Sequence, residues 1–257
     1  MAHPAVSTNV ADLHQEHHGS FWPLFLTIGV TLFLLGTMVH VLLLPGFVIL
    51  VGSVFGWVRE DIIELRGKPY KDGHSDYWLG TIVLILSEII IFGVLFSFYF
   101  WSRAHQGEAF VPEQIRNMGM LPIWLNTAFL VSSGVTAEFA IHFLKKGENE
   151  DFQVWLGITV VLGLLFVAGQ AQEYMNLVRE GLTPITSSYG TAFFSLTGVH
   201  GLHVIAGVVV LTTILVLSFT GFVTKERASG VHGAFLYWHF VDAIWVLVVS
   251  VVYLRLV

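Results

Sequence analysis

The chain has 257 residues, of which 55% are hydrophobic and 12% charged, with a formal net charge of −6 and no cysteine. Soluble domains carry about a quarter charged residues, so a water-soluble globule is excluded, and the lack of thiols removes disulfides and thiolate metal ligands. No basic patch exists to neutralise phosphates, so nucleic acid is not an expected partner.

Residues 1–20 contain no Lys or Arg and no apolar stretch, which is unlike a cleaved signal and predicts a short soluble tail. From Phe21 to Val58 the sequence is almost unbroken apolar, and as one helix it would be about 57 Å long, too long for one crossing of a core about 30 Å thick. Pro45 and Gly46 supply a break, with proline suited to the first turn of a new helix. Spans are therefore expected at about 21–42 and 45–63, forming a two-helix hairpin, followed by a charged loop at 64–76.

Five further apolar runs follow: Tyr77 to Ser102, Leu121 to Leu144, Phe152 to Val178, Tyr189 to Phe219 and Val231 to Leu256. They predict a five-helix bundle over 77–257. Backbone amides in lipid must be satisfied within the protein, and the alternation of barrel strands is absent, so the expected fold is an all-α integral membrane protein with seven transmembrane helices. Span six is longer than a perpendicular crossing needs and should tilt or project. Ser195, Gly198 and Gly201 lie along one face of it, predicting close approach by a neighbouring helix.

With alternating sides, the loops after spans two, four and six hold Arg59, Arg66, Lys68, Lys71, Lys145, Lys146, Lys225 and Arg227, against Arg103, Arg116, Arg179 and Arg255 opposite. The positive-inside rule then places the N-terminus in the cytoplasm and the C-terminus outside.

Ionisable side chains at membrane depth are costly, so their positions are the best guide to function. Glu88 in span three, His200 and His203 in span six, and His239 and Asp242 in span seven all fall deep within apolar runs. The spacings of His200 with His203 and of His239 with Asp242 put each pair on one helical face, and together these groups are able to form one polar cluster. Three readings stay open: hydrogen-bonded glue between helices, each bond contributing about 1 kcal/mol; proton handling by Glu88 beside an imidazole; or a metal or haem site. The tail string His14, Gln15, Glu16, His17, His18 mimics a histidine box of membrane di-iron enzymes, although the other histidines are scattered in depth. Gln170 and Glu173, near the outer end of span five, and Glu138, near the inner end of span four, read as solvated interfacial groups. Trp57, Trp101, Trp124, Trp155 and Trp238 read as an aromatic belt.

Taken in order, several strings carry a family resemblance: Trp57, Val58, Arg59 with Asp61; Ser87, Glu88; Leu125, Asn126, Thr127 followed by Ser133, Gly134; Gln170, Ala171 with Glu173, Tyr174; GVHGLHVIAG over 198–207; and YWHFVDAIW over 237–245. The chain resembles subunit III of the haem-copper cytochrome c oxidases over nearly its whole length. The resemblance implies that the first two of seven helices are set apart from the other five by a V-shaped, lipid-filled cleft. It implies no metal, cofactor or catalytic residue in this chain, the haems and copper residing in partner subunits I and II. It also implies direct contact with subunit I, support of proton uptake and protection against turnover inactivation.

Residue by residue, Glu88 matches the family's buried glutamate and His203 the histidine beside it. Arg59, with Trp57, matches the position near bound phospholipid headgroups, where a guanidinium offers paired donors; an ordinary positive-inside anchor is the competing reading. The chain departs from the family in an inserted Glu60, in lacking a second arginine one turn later, in Gly73, His74, Ser75, Asp76 where Gly-His-His-Thr is usual, and in His232 where many members have glutamate.

The leading expectation is a redox-silent subunit of a proton-pumping terminal oxidase that oxidises cytochrome c and reduces oxygen to water, in a prokaryotic plasma membrane ahead of a mitochondrial inner membrane. Its alternative is the equivalent subunit of a quinol oxidase or nitric oxide reductase, relatives that often have five spans. Rivals from other classes are a free-standing membrane metalloenzyme and a transporter, distinguished by stoichiometric metal or bound solute in the isolated chain.

Overall fold

The structure, a computed structural model, describes residues 21–36, 39–65, 74–225 and 228–254. The tail histidines His14, His17 and His18, the loop cations Arg66, Lys68 and Lys71, and Arg227 and Arg255 lie outside the described residues. The regular elements among the described residues are helical: α1 (Trp22–Gly36), α2 (Leu43–Leu65), α3 (His74–Gln106), α4 (Glu113–Arg116), α5 (Met120–Lys146), α6 (Asn149–Arg179), α7 (Ser188–Phe219) and α8 (Ser229–Val248). Five of them, α3 and α5 to α8, are long and apolar enough to cross a membrane, which makes the chain a polytopic α-helical membrane protein. α1 has 15 residues and α2 has 23, and the apolar stretches within them, Trp22–Phe33 and Leu43–Trp57, are shorter among the described residues.

The chain divides into two compact units, Met1–Lys71 and Asp72–Val257. In the first, α1 ends at Gly36 and a 3-10 turn, His40–Leu42, leads into α2. The break therefore lies just ahead of Pro45, with α2 starting at Leu43 and not at Pro45. Proline lies in the first turn of α2, where its missing N–H would have no intrahelical acceptor. The two helices pack on glycines: a Cβ on Gly29 would lie 2.6 Å from the Leu50 nitrogen, and Gly36 and Gly46 abut the backbones of Leu43 and Phe33. Small residues at such crossings let backbones approach, and that packing replaces the hydrophobic drive that lipid cannot supply.

In the second unit, α3 packs on α7 and α8, α6 on α5 and α7, and α8 on α5 and α7. The α5–α6 hairpin is closed by Gly147 at φ +83°, whose left-handed backbone favours glycine. Its amide bonds to Leu144 O at 3.0 Å and that of Glu148 to Phe143 O at 3.0 Å, capping the carbonyls that α5 leaves open. Lys145 and Lys146 in the last turn of α5, and Glu150 and Asp151 in the first turn of α6, suit the two helix dipoles. Ser187 caps α7 by accepting the Gly190 N–H at 3.0 Å. Beyond α8 the chain continues as a π turn, Val249–Tyr253. Two carbonyls there, Val251 O and Val252 O, accept the hydroxyls of Tyr99 at 3.1 Å and Tyr189 at 3.2 Å. These bonds fasten α3 and α7 to the end of α8.

Two expectations are corrected by the packing. Trp238 is not part of an aromatic belt: it is fully buried, donates its indole N–H to Ser133 Oγ at 3.1 Å, and lies over Gly163 and Gly207. The close approach expected along Ser195, Gly198 and Gly201 occurs one to two turns further on. Gly201 has nothing within 4 Å of a Cβ position and Gly198 meets only the Tyr174 hydroxyl, whereas Gly207 would meet Trp238 at 2.6 Å. A row of small residues marks where close packing is possible, and the large ring on the opposing helix decides where it happens.

Candidate functional site

At the centre of the second unit α3 and α7 meet through ionisable side chains. Glu88 lies two residues, about 3 Å, from the midpoint of α3, and His203 at the midpoint of α7. The structure brings them together, with Glu88 Oε2 2.8 Å from His203 Nε2 and both side chains mostly buried. His203 Nδ1 is 2.7 Å from Val199 O. A carbonyl only accepts, so Nδ1 carries a proton and donates it. The contact between Nε2 and Oε2 then holds one proton, giving either a neutral acid with a neutral imidazole or a carboxylate with an imidazolium. Both forms are neutral overall, which suits a pair at this depth.

The remainder of the site holds this pair in place. Phe92, one turn from Glu88, meets the His203 ring at 5.3 Å between centroids. Tyr237 of α8 donates its hydroxyl to His203 O at 3.2 Å, competing for a carbonyl in the middle of α7. A groove of about 550 Å³ opens over the pair, bounded by Thr81 and Leu84 of α3, Ala206 of α7, and Gly233 and Tyr237 of α8. A Cβ on Gly233 would lie 2.7 Å from Thr81 Oγ1, so the glycine lets α8 come close to α3 beside the pair.

The other ionisable groups do not join it. His200 is buried, stacks on Trp245 at 5.0 Å and meets Phe166 edge-on at 5.8 Å; neither ring nitrogen has a hydrogen-bond partner among the described residues. His239 bonds through Nε2 to Glu138 Oε1 at 2.7 Å, with Asp242 Oδ2 4.0 Å from Nδ1. The single cluster that spacing allowed is thus divided into two pairs and an isolated ring. Residues three apart diverge by about 60° around a helix, enough to turn His203 towards α3 while His200 faces α6 and α8. Among the described residues, no group of three or more His, Asp or Glu is placed to hold a metal ion.

Arg59 is exposed on α2 and Trp57 half-buried there. His232 directs Nδ1 to Ala228 O at 2.7 Å. Gln170 and Glu173, read from sequence as solvated, are buried. Glu173 accepts the Tyr253 hydroxyl at 2.7 Å and the Gln170 amide at 3.1 Å, joining α6 to the π turn beyond α8. The shared face of Gln170 and Glu173 was legible, but their hydroxyl partner sits 80 residues away with no local signal.

Comparison with known proteins agrees with this architecture. The family model for cytochrome c oxidase subunit III matches residues 14–255. The cytochrome c oxidase subunit 3 of Corynebacterium diphtheriae is 36% identical over 169 residues, covering 65% of this chain and 82% of its own. Its namesake in Oryctolagus cuniculus is 35% identical over 221 residues, covering 82% and 83%, and that of Schizophyllum commune 34% over 216 residues, covering 81% and 79%. With a match over nearly its whole length, on a membrane bundle whose third and seventh helices are joined by a part-buried glutamate–histidine pair, the chain belongs to the cytochrome c oxidase subunit III family.

Proposed function

We propose that this chain is a redox-silent core subunit of a proton-pumping terminal oxidase, lying against the haem- and copper-bearing subunit I with subunit II alongside. In that role it supports proton uptake, stabilises subunit I during turnover and retains structural phospholipid near Trp57 and Arg59. In this reading the hairpin completes seven crossings with the N-terminus in the cytoplasm and a prokaryotic plasma membrane around it, and a lipid-filled cleft separates the hairpin from the five-helix bundle. The observation that carries the proposal is the Glu88–His203 pair, 2.8 Å apart at the midpoints of α3 and α7. It shares one proton without changing net charge, so it joins two helices while remaining able to rearrange that proton.

Glu88→Gln in the purified oxidase tests the pair. The amide keeps the shape but cannot exchange a proton, and the lost charge-assisted bond is expected to cost about 1 kcal/mol. Haem content should stay at the wild-type level while thermal stability falls and activity decays sooner under prolonged turnover. Unchanged melting and unchanged persistence would remove the pair from the role given to it.

Arg59→Ala tests the lipid role separately. Truncating the guanidinium should lower the anionic phospholipid that survives a matched detergent purification, read by mass spectrometry of extracted lipid, while Glu88→Gln leaves it alone. Equal lipid in all three preparations would leave Arg59 as an interfacial anchor only.

A further inference from the structure

Where α3 ends, the chain turns back around two arginines. Gly107 takes φ +57°, a left-handed conformation that favours glycine, and begins a 3-10 turn, Gly107–Phe110. Phe110 is buried and meets the rings of Tyr99 and Tyr189, each at 5.2 Å between centroids, so the turn is fixed to the bundle. The short helix α4 then brings Arg116 back towards Arg103 of α3. These two line a cavity of about 750 Å³ with Ala104, Gly107, Glu108 and Val111.

The two guanidiniums are not equivalent. Arg116 donates through Nε to Val111 O at 3.0 Å and through Nη2 to Glu108 O, so it braces the turn. Arg103 has no hydrogen bond or ion pair with any described residue, and its Nη1 is shut off from solvent. An arginine that served only the dipole of α3 would bond the last carbonyls of its helix, and this one bonds none. A cationic donor without an acceptor is costly where water is scarce. With one carboxylate, Glu108, against two guanidiniums on its wall, the cavity also carries an excess of one positive charge. Both facts call for an anion.

Depth selects which anion. Arg103 lies three residues, about 4.5 Å, from the end of α3, the headgroup level to which long basic side chains lift their charge. Trp101, exposed and stacked on His105 at 4.4 Å, marks the same level, which indole rings prefer. One turn deeper, Phe100 is exposed and stacks on Phe96 at 6.5 Å. That aromatic ridge offers an acyl chain dispersion contacts, whereas a soluble phosphate would gain nothing from it.

We infer that Arg103, with Arg116 beside it, holds the phosphate of an anionic phospholipid whose acyl chain lies along Phe100 and Phe96. A guanidinium fork matches two phosphate oxygens, and the excess charge of the cavity favours a headgroup with net negative charge over a zwitterion. The site uses no residue of the hairpin, and so is distinct in its make-up from the lipid role given to Trp57 and Arg59. It rests on the chain's being a membrane bundle and not on its place in an oxidase.

The test uses the chain purified with its native partners and placed in phosphatidylcholine nanodiscs. These are doped either with phosphatidylglycerol bearing a diazirine on its acyl chain or with phosphatidylcholine bearing the same group. After irradiation, peptide mass spectrometry reads the adduct on residues 96–100. For the wild type, the glycerol headgroup is expected to give about fivefold more adduct than the choline headgroup, the worth of one basic contact at the membrane surface. Equal labelling by the two overturns the inference without any variant. Arg103→Gln should lower the phosphatidylglycerol adduct about tenfold, and Arg103→Lys, which keeps the charge but not the fork, should fall between. Unchanged labelling in Arg103→Gln removes the guanidinium from the site. Arg59→Ala should label residues 96–100 like the wild type; a loss as large as that in Arg103→Gln gives the lipid to the hairpin and overturns this assignment. Excess inorganic phosphate at matched ionic strength should leave the adduct in place, and its disappearance would make the cavity a site for a soluble anion and not for lipid.

Discussion

Trp238→Ala is expected to destabilise the α3–α8 bundle by about 3–5 kcal/mol, the range for removing a buried tryptophan. The indole is fully buried, donates to Ser133 Oγ on α5, and fills the space left by Gly163 on α6 and Gly207 on α7. One side chain of α8 thus contacts three other helices. Lipid is as apolar as the bundle interior, so the loss comes from dispersion contacts and an unfilled cavity more than from transfer. Trp238→Phe keeps most of the ring while losing the indole bond, and should cost about 1–2 kcal/mol. Thermal melting of the complex in one detergent measures both. Equal losses for Ala and Phe would mean that the hydrogen bond, and not the packed volume, holds the helices. A secondary effect follows from the neighbouring residue. Tyr237 donates to His203 O, so loosening this turn of α8 should also weaken the Glu88–His203 contact and shorten activity under turnover.

Trp238 also shows what could be read from the sequence and what could not. Five apolar runs marked the five long helices to within a few residues, because hydrophobic length is a local property. Depth within a span, counted along one chain, marked Glu88, His200, His203, His239 and Asp242 as a group, and the family resemblance singled out Glu88 with His203. What periodicity leaves open is how each helix is rotated against its neighbours. Trp238 was assigned to the headgroup belt and Glu138 to a solvated helix end; Trp238 instead fills the bundle centre, and Glu138, although exposed, pairs with His239 of α8. Both assignments required knowing that α8 lies against α5. Pro45 was read as lying in the first turn of the second hairpin helix, and it does, with α2 beginning two residues earlier at Leu43. The order of the motifs came from the sequence, and the rotations came from the coordinates.

Gly29→Val should separate the two helices of the first unit. A Cβ at this position would lie 2.6 Å from the Leu50 nitrogen and 2.8 Å from its Cα. Both are backbone atoms of a hydrogen-bonded helix and cannot rotate away as a side chain would, so α1 and α2 must move apart along their length. Overpacking commonly costs about 1–3 kcal/mol, and rigid backbone on the far side places this case at the top of that range. Gly52 on α2 provides the opposite sign, because nothing lies within 4 Å of its Cβ position. There, Gly52→Ala adds helix propensity without a clash and should stabilise by up to about 1 kcal/mol. Cysteine pairs introduced across α1 and α2 in this cysteine-free chain measure the result through their rate of disulfide formation. That rate should fall at least tenfold in Gly29→Val and hold or rise in Gly52→Ala. The comparison also bears on lipid retention. If Arg59 holds phospholipid only when α2 is braced by α1, Gly29→Val will lose lipid as Arg59→Ala does; if Arg59 acts alone, the hairpin will open with its lipid still bound.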